Sequence, residues 1–388
     1  MLGACTTQTV KSTEVIPLEQ PQTQIPEDEL LDVGVAIFDT GMDELLDEED
    51  SLVFSEIRNA EAHFIPYRLM ESLQHSANWG AVRLISAEMD SVDLKVDGKI
   101  INSNGEYLEL RVVVKDASGV QWFSKTYKSE ASKYSYEDRR LDKEPFRSVY
   151  NTIANDMVTF RNSLSAEDVQ RIRMITELKF AQSFSPDAFE KHLNRKKDGL
   201  YEIKRAPSEN DPILQRVRTI RERDYLFVDT LQEYYLAFAT KMSSPYQEWR
   251  KQSYKEVVAL RELRATGTRR VTAGVVAILA GIFAAGGGDG AARAAGQVGV
   301  VGGGYLIKSG MDKHEESKIH VEALAELGSS MEGEISPQVI ELEERTVTLT
   351  GTVEGQYQQW RRILKDIYDA EVGDLKTVNS NDKEHTGQ

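Results

Sequence analysis

The side chains able to do chemistry in this 388-residue chain are few, and their spacing limits what they could do. The six histidines are His63, His75, His192, His314, His320 and His385. A zinc site on one helix needs two imidazoles a turn apart, as in H-E-x-x-H, and no pair here has that step. His314-Glu315 followed by His320 comes nearest, but a six-residue step puts the two rings on different helix faces, so a solvated charged turn is the simpler reading. The acidic run Asp43-Glu44-Leu45-Leu46-Asp47-Glu48-Glu49-Asp50 could gather carboxylates around calcium. It lacks the alternating ligands and fixed glycine of an EF-hand loop and reads as a solvated loop. No G-x-S-x-G elbow occurs. Lys308-Ser309 lacks the glycine that precedes the lysine of a P-loop. Gly286-x-Gly288-x-x-Ala291 touches the dinucleotide fingerprint without a strand leading into it. Catalytic residues, a bound cofactor and a metal are therefore not expected.

The single cysteine is Cys5, which excludes an intramolecular disulfide and a multi-cysteine metal site. Its setting, Leu2-Gly3-Ala4-Cys5, resembles the lipobox of bacterial lipoproteins, and the small residues before it fit a signal-peptide cleavage site. The resemblance implies cleavage before Cys5 and acylation of its thiol, so that membrane lipid is a partner through Cys5. No charged start or apolar run precedes the motif, so either the sequence opens inside the signal peptide or the match is accidental. Thr6 rather than Asp follows the cysteine, which in enteric-type sorting implies the outer membrane, periplasmic face. Residues 6–29 are polar and punctuated by proline, as a flexible tether to such an anchor would be.

A second pattern is carried by glycine. Gly267, Gly274, Gly281 and Gly288 are seven apart, and Gly296, Gly303 and Gly310 repeat the step. Seven residues are close to two helical turns, so each set keeps to one helix face with about 20° of drift per step. Gly286-Gly287-Gly288-Asp289-Gly290 between them would break a helix. The spacing predicts two helices, about 268–285 and 291–308, folded into a hairpin whose glycine stripes let backbones approach closely. The first helix is apolar all round but shorter than the ~20 residues that span a bilayer. The second carries Arg293 and Gln297, which lipid disfavours unless they face a bundle interior or water. A membrane-inserted hairpin, a buried hairpin in a soluble oligomer and a glycine-rich linker all stay open. The pattern is similar to the glycine-zipper hairpins of bacterial envelope lipoproteins.

The elements that would position these residues read as α+β. A strand over 31–38, a helix over 55–78 with Pro66 as a kink or boundary, and strands over 81–85, 92–102, 107–117 and 120–127 form an N-terminal module, 30–130. Asn102-Ser103-Asn104-Gly105 and Ala117-Ser118-Gly119 are its hairpin turns. Phe38-Asp39 and the D-L-x-V-x-G-x-I strand from Asp93 to Ile100 loosely resemble small modules of periplasmic assembly and export lipoproteins. After a charged connector at 131–145, the region to 266 reads as helical. Asp211-Pro212 and Ser244-Pro245 each look like an N-cap followed by proline at the first helical position. Ile213, Val217, Ile220, Phe227, Leu231, Tyr235 and Phe238 form a core stripe between them. Tyr225, Tyr234, Tyr235, Tyr246 and Trp249 could stack on a sugar or a base, but core or subunit packing is the simpler reading at helical spacing. Residues 311–380 predict α-β-β-α-β, with strands at 339–342 and 346–352, a helix over 356–368, and a last strand at Val372-Gly373 to Val378-Asn379. The segment Thr346-Val347-Thr348-Leu349-Thr350-Gly351-Thr352-Val353 resembles the V-x-L-x-G-x-V strand of BON domains, small modules of envelope proteins, with Gly351 read as a site of close helix approach. Residues 381–388 form a tail.

A net charge of -16, from 63 acids against 47 bases, disfavours nucleic acid as a partner. The resulting expectation is a non-catalytic outer-membrane lipoprotein, a homo-oligomeric ring or scaffold of an envelope assembly or export apparatus, with other envelope proteins as further partners. A monomeric lipid- or glycan-binding module is the alternative, and an enzyme of unrecognised type the third reading.

Overall fold

Residues 107–116 alternate apolar and polar side chains, and a strand is the conformation that sorts such a sequence onto two faces. The structure is a computed structural model describing residues 6–11, 15–45, 55–86, 89, 91–136, 144–208, 210–265, 323, 325–330, 338–341 and 346–384. In it Leu108, Leu110, Val112 and Val114 are all fully buried on β5 (Tyr107–Asp116). The other strands of this six-stranded sheet are β1 (Thr6–Lys11), β2 (Val33–Ala36), β3 (Val82–Ile85), β4 (Leu94–Ser103) and β6 (Gln121–Glu130), in the order β1-β6-β5-β4-β2-β3. β4, β5 and β6 are an antiparallel meander, and Gly105 and Gly119 supply the positive φ at its two turns. β2 runs parallel to both β3 and β4 and is buried along its whole length, as a central parallel strand should be. The chain is thus α+β, and the strands expected over 30–130 are found within a few residues of their expected ends. Helix α1 (Met42–Leu45) opens the acidic run, whose remainder lies outside the described residues.

Helix α2 (Ser55–Ser76) covers the sheet with Ile57, Ala60, Phe64, Tyr67, Leu69, Met70 and Leu73, all buried. Pro66 does not end or break it. Proline has no N–H for the carbonyl four residues back, but here that carbonyl, of Ala62, accepts from the amide of Phe38 at 3.0 Å. Two side chains of the helical layer also bond the outer side of β3. Gln232 accepts from the Leu84 amide at 2.8 Å and donates to its carbonyl at 3.0 Å, while Gln74 donates to the Val82 carbonyl at 3.0 Å.

The expected flexible tether at 6–29 is instead packed where it is described. β1 pairs parallel with β6 from Thr6↔Lys125 to Lys11↔Glu130, and residues 15–29 lie along the helices that follow. Most of the described polar side chains that suggested a tether are exposed, and the segment is held largely through its backbone and by Val10, Ile16 and Leu18.

The helical region contains α3 (Arg147–Arg161), α4 (Ala166–Phe184), α5 (Pro186–Phe189) and α6 (Pro212–Ala265), with a short hairpin of β7 (Leu193–Arg195) and β8 (Tyr201–Ile203) where only helix was expected. Asp211 caps α6, its carboxylate accepting from the amides of Ile213 at 2.8 Å and Leu214 at 3.2 Å. The second helix start expected at Ser244-Pro245 is absent, and α6 runs through Pro245 for 54 residues. Lys241, whose carbonyl loses its helical donor to that proline, is exposed, so water can take the bond.

Near the C-terminus β9 (Gln338–Glu341) and β10 (Thr346–Leu349) pair antiparallel, and α7 (Val353–Glu384) packs on α6, with Trp360 5.3 Å from Phe227 between ring centres. Leu349 and Leu364 are buried, while Val347 and Ile363 are partly so. The last strand expected over 372–379 is instead part of α7. Leu364, Tyr368, Val372, Leu375 and Val378 fall at helical steps, which continues the apolar stripe of the helix before them. Gly351 has a φ of 100° and open space where a Cβ would stand, so it serves a turn conformation rather than the close helix approach expected of it. Residues from β1 through α7 contribute to one hydrophobic core.

Candidate functional site

The lipidation and helix-packing residues read from the sequence lie outside the described residues. These are Cys5 and all seven stripe glycines, Gly267, Gly274, Gly281, Gly288, Gly296, Gly303 and Gly310; residues 137–143 of the charged connector lie outside them too. Among the described residues no group of three His, Cys, Asp or Glu side chains could hold a metal. No described helix is long and apolar enough to cross a membrane. His63, His75 and His192 each turn Nδ1 to a backbone carbonyl, of Asn59, Glu71 and Arg205 respectively. Carbonyls only accept, so these nitrogens carry the proton.

What the described residues do bring together is a set of buried charges around α6, the helix that ends at Ala265, two residues before Gly267. Glu61 of α2 accepts from Ser103 at 2.5 Å and from the Tyr246 hydroxyl at 2.6 Å, and Arg58 stands 3.6 Å from its other oxygen. Arg250, four residues on from Tyr246, is 0% exposed; it donates to Glu144 and lies 3.9 Å above the Tyr246 ring centre. Burial alone would lower the pKa of the Arg250 guanidinium, but Glu144 and the phenols of Tyr246 and Tyr150 hold it well above its ordinary value. Burial pushes the Tyr246 hydroxyl well up in turn, which keeps it a proton donor to Glu61. Farther along, Ser253 donates to the Asn104 carbonyl at 2.7 Å, and Arg261 pairs with Glu106 and, at 3.5 Å, with Glu130. A side chain at Gly105 would overlap the Arg250 carbonyl, so the β4–β5 turn sits directly on the helix.

The first half of α6 is fixed in the same manner. Arg83 of β3 grips Asp229 with two bonds, at 2.5 and 3.0 Å. The Tyr225 ring is flanked by the guanidinium groups of Arg83 at 4.8 Å and Arg221 at 5.0 Å. Asp224 faces Arg361 of α7 at 3.5 Å, and Arg361 itself lies over the rings of Phe180 and Phe184 on α4. Burial raises the Asp224 carboxyl to about 6, against the pull of Arg361, Tyr357 and Arg221. Of the five aromatic residues noted from the sequence, Tyr235, Tyr246 and Trp249 are core, Tyr225 joins this ionic sandwich, and the Tyr234 hydroxyl accepts from Gln338 of β9. The chemistry of this arrangement is fastening: its carboxylates take hydrogen bonds from tyrosines, serine and arginines that tie α6 to α2, the sheet, α4 and α7.

The second assembly is the groove between α2 and α3 that holds residues 15–20. A cleft of about 310 Å³ opens beside them, bordered by Val15, Leu18, Arg68, His75, Arg147 and Tyr150. Arg68 is bonded to Glu71 at 2.8 Å. Ser148, Asn151 and Asn155 of α3 bond the backbone of the segment. Neither assembly was found from the sequence. The available signals were weak: Ser148, Asn151 and Asn155, three and four apart on one face of a mixed helix, and Arg250 one turn after a core tyrosine.

No protein-family profile matches the chain, and neither a curated protein nor a solved structure matches it.

Proposed function

We propose that this chain is a non-catalytic, lipid-anchored structural component of a cell-envelope assembly, on the periplasmic face of the outer membrane. Acyl groups on Cys5 hold it there, and the glycine-striped segment 267–310 packs copies together as a homo-oligomeric ring or scaffold, with other envelope proteins bound to the same body. The observation that carries this reading is α6. Its 54 residues correspond to about 80 Å of helix, and buried ion pairs fasten it along its length. Such a helix gives the segment that follows it a defined point of departure from the body, which a subunit contact needs and a linker does not.

The test is the mass of the detergent-extracted protein, with intact mass of the Cys5 peptide. The expected result is an oligomer with acylated Cys5, dissociated by Gly274→Leu or Gly281→Leu while the sheet and its helices keep their fold. Each glycine costs a helix about 1 kcal/mol relative to alanine, so a stripe of them needs an offsetting contact. A monodisperse monomer would overturn the assembly, and an unmodified Cys5 the anchor. The monomeric lipid- or glycan-binding reading draws support from the cleft beside Tyr150, and the same mass measurement separates the two.

A further inference from the structure

We propose that the groove between α2 and α3 is a docking groove for an extended segment, and that its occupant in the assembled protein is the N-terminal arm of a second copy of this chain. The proposal rests on the homo-oligomeric reading and names the residues by which neighbouring copies hold one another.

The groove recognises its occupant as a peptide receptor does. The Ile16 amide donates to Ser148 Oγ at 3.2 Å, and Asn151 donates to the Ile16 carbonyl at 2.7 Å. Asn155 bonds twice, donating to the Pro17 carbonyl at 2.9 Å and accepting from the Glu19 amide at 2.9 Å. Asn78, just after α2, donates to the Glu19 carbonyl at 2.7 Å. Ser148, Asn151 and Asn155 are three and four residues apart, so they share one face of α3. Ser72 of α2 donates to the Asn151 side-chain oxygen at 3.0 Å, which turns the amide nitrogen toward the arm. The arm's own side chains alternate: Ile16 and Leu18 pack inward, and Val15, Pro17 and Glu19 are exposed. Backbone bonds supply the hold and alternate side chains the fit, as in the binding of extended peptides.

Three features make the occupant exchangeable. The arm is separated from the next fixed turn, Glu27–Glu29, by residues 21–26, which are mostly exposed and begin and end in proline. An extended stretch of that length reaches about 20 Å, far enough to carry the arm across to a neighbour. The cleft beside residues 15–18 leaves that side of the arm without packed neighbours. Every copy carries the same arm, groove and β1–β6 pairing, so exchange of everything before residues 21–26, β1 included, keeps each of these bonds and changes only the hinge. Where segment 267–310 already holds two copies together, a neighbour's arm is presented at an effective concentration of roughly millimolar order, comparable with that of the chain's own arm.

The experiment uses full-length chains with Cys5→Ser, so that each carries one introduced thiol. One version has Val15→Cys on the arm, the other Arg147→Cys at the groove; both positions border the cleft, both are exposed, and neither is in the hydrogen-bond set. The two are tagged differently, co-expressed, treated with a short bis-maleimide and separated under denaturing conditions. The expected product carries both tags, and its yield falls about tenfold or more when Asn151→Ala and Asn155→Ala are added, because several backbone bonds are lost together. If the tags never join, while a chain with both thiols links within itself and the Cys5 protein in detergent has an oligomeric mass, exchange is wrong and the oligomer stands. If that mass is a monomer's at every concentration, both readings fall.

Discussion

The amide of Phe38 donates to the carbonyl of Ala62 at 3.0 Å, the carbonyl that Pro66 leaves without a helical donor. The chain just beyond strand β2 is thereby joined to helix α2 through the carbonyl that a proline one turn further on leaves open. An unsupported proline inside a helix costs about 3 kcal/mol relative to alanine. Pro66→Ala should recover well under that amount, since the restored amide competes with Phe38 for one carbonyl. Its amide proton at Phe38 should also exchange faster. A gain of the full ~3 kcal/mol in denaturant unfolding, with Phe38 protection unchanged, would show that the bond contributes nothing.

The Phe38 ring fills the space that a side chain at Gly98 would need. The two backbones are joined as well, by the Asp39 amide donating to the Gly98 carbonyl at 2.8 Å. Gly98→Val should therefore destabilise the protein by about 1–3 kcal/mol through overpacking. Gly98→Val combined with Phe38→Ala should be less destabilised than the sum of the two single changes. Additive losses in chemical unfolding would place the ring elsewhere.

Asp224 has its carboxyl raised to about 6 from an ordinary 3.8. The folded protein holds that proton more tightly than the unfolded chain does. The stabilising contribution is therefore complete below about pH 3.8 and disappears as pH rises through about 6. Relative to Asp224→Asn, the wild type should lose up to about 3 kcal/mol between those limits as pH increases. The groups facing Asp224 are Arg221 on its own helix and Arg361 and Tyr357 on α7; all three favour the charged form, so the loss is the cost of burying the carboxylate that they only partly offset. Parallel stability curves for the two proteins between pH 4 and 7 would count against it.

Glu144 is the carboxylate partner of Arg250, which has no exposed surface. Glu144→Ala should cost about 3–5 kcal/mol, because it leaves a buried charge uncompensated. Arg250→Met added to it should recover much of the loss, since pairs of this kind are often replaced by apolar side chains at little cost. If the double variant is no better than Glu144→Ala alone, the pair is not acting as a unit.

Leu349, at the end of β10, is 1% exposed. Leu349→Ala should lower stability by about 2–5 kcal/mol, as removal of a buried leucine does. A change within a few tenths of a kcal/mol in thermal or urea unfolding would mean that the β9–β10 hairpin does not pack on α7.

The strands were legible because period-two alternation and turn glycines are local signals, as at Leu108 to Val114 and at Gly105. The stripes of α2 and of the first half of α6 were legible for the same reason at a period of 3.6. Continuity through Pro66 and Pro245 was not, because it depends on what happens to a carbonyl one turn back, which only the folded neighbours decide. The packed arm was missed because its hold is through backbone atoms, on which the outward-facing Pro17 and Glu19 are silent. Arg58, Glu61 and Arg250 break the rule that charges stay outside, and nothing in their spacing marks the Ser103 and Tyr246 hydroxyls that bond Glu61 or the Glu144 that pairs with Arg250. In α7 the family resemblance drew a strand at Val372 to Asn379 where the spacing of Leu364, Tyr368, Val372 and Leu375 was already helical. Cys5 and the glycine stripes are patterns of sequence alone.

The bonds from Gln232 and Gln74 to β3 have a bearing on aggregation. A strand at the rim of a sheet offers a row of open amides and carbonyls on which any passing chain can template. At β3 the carbonyl of Val82 and both backbone groups of Leu84 are already satisfied by side chains, so a foreign strand arriving there finds no ladder to join. The opposite rim is β1, the piece of chain nearest Cys5. Growth of this sheet by strand addition is therefore one-sided, and whatever holds or shields the N-terminal strand also governs whether the protein polymerises through its backbone.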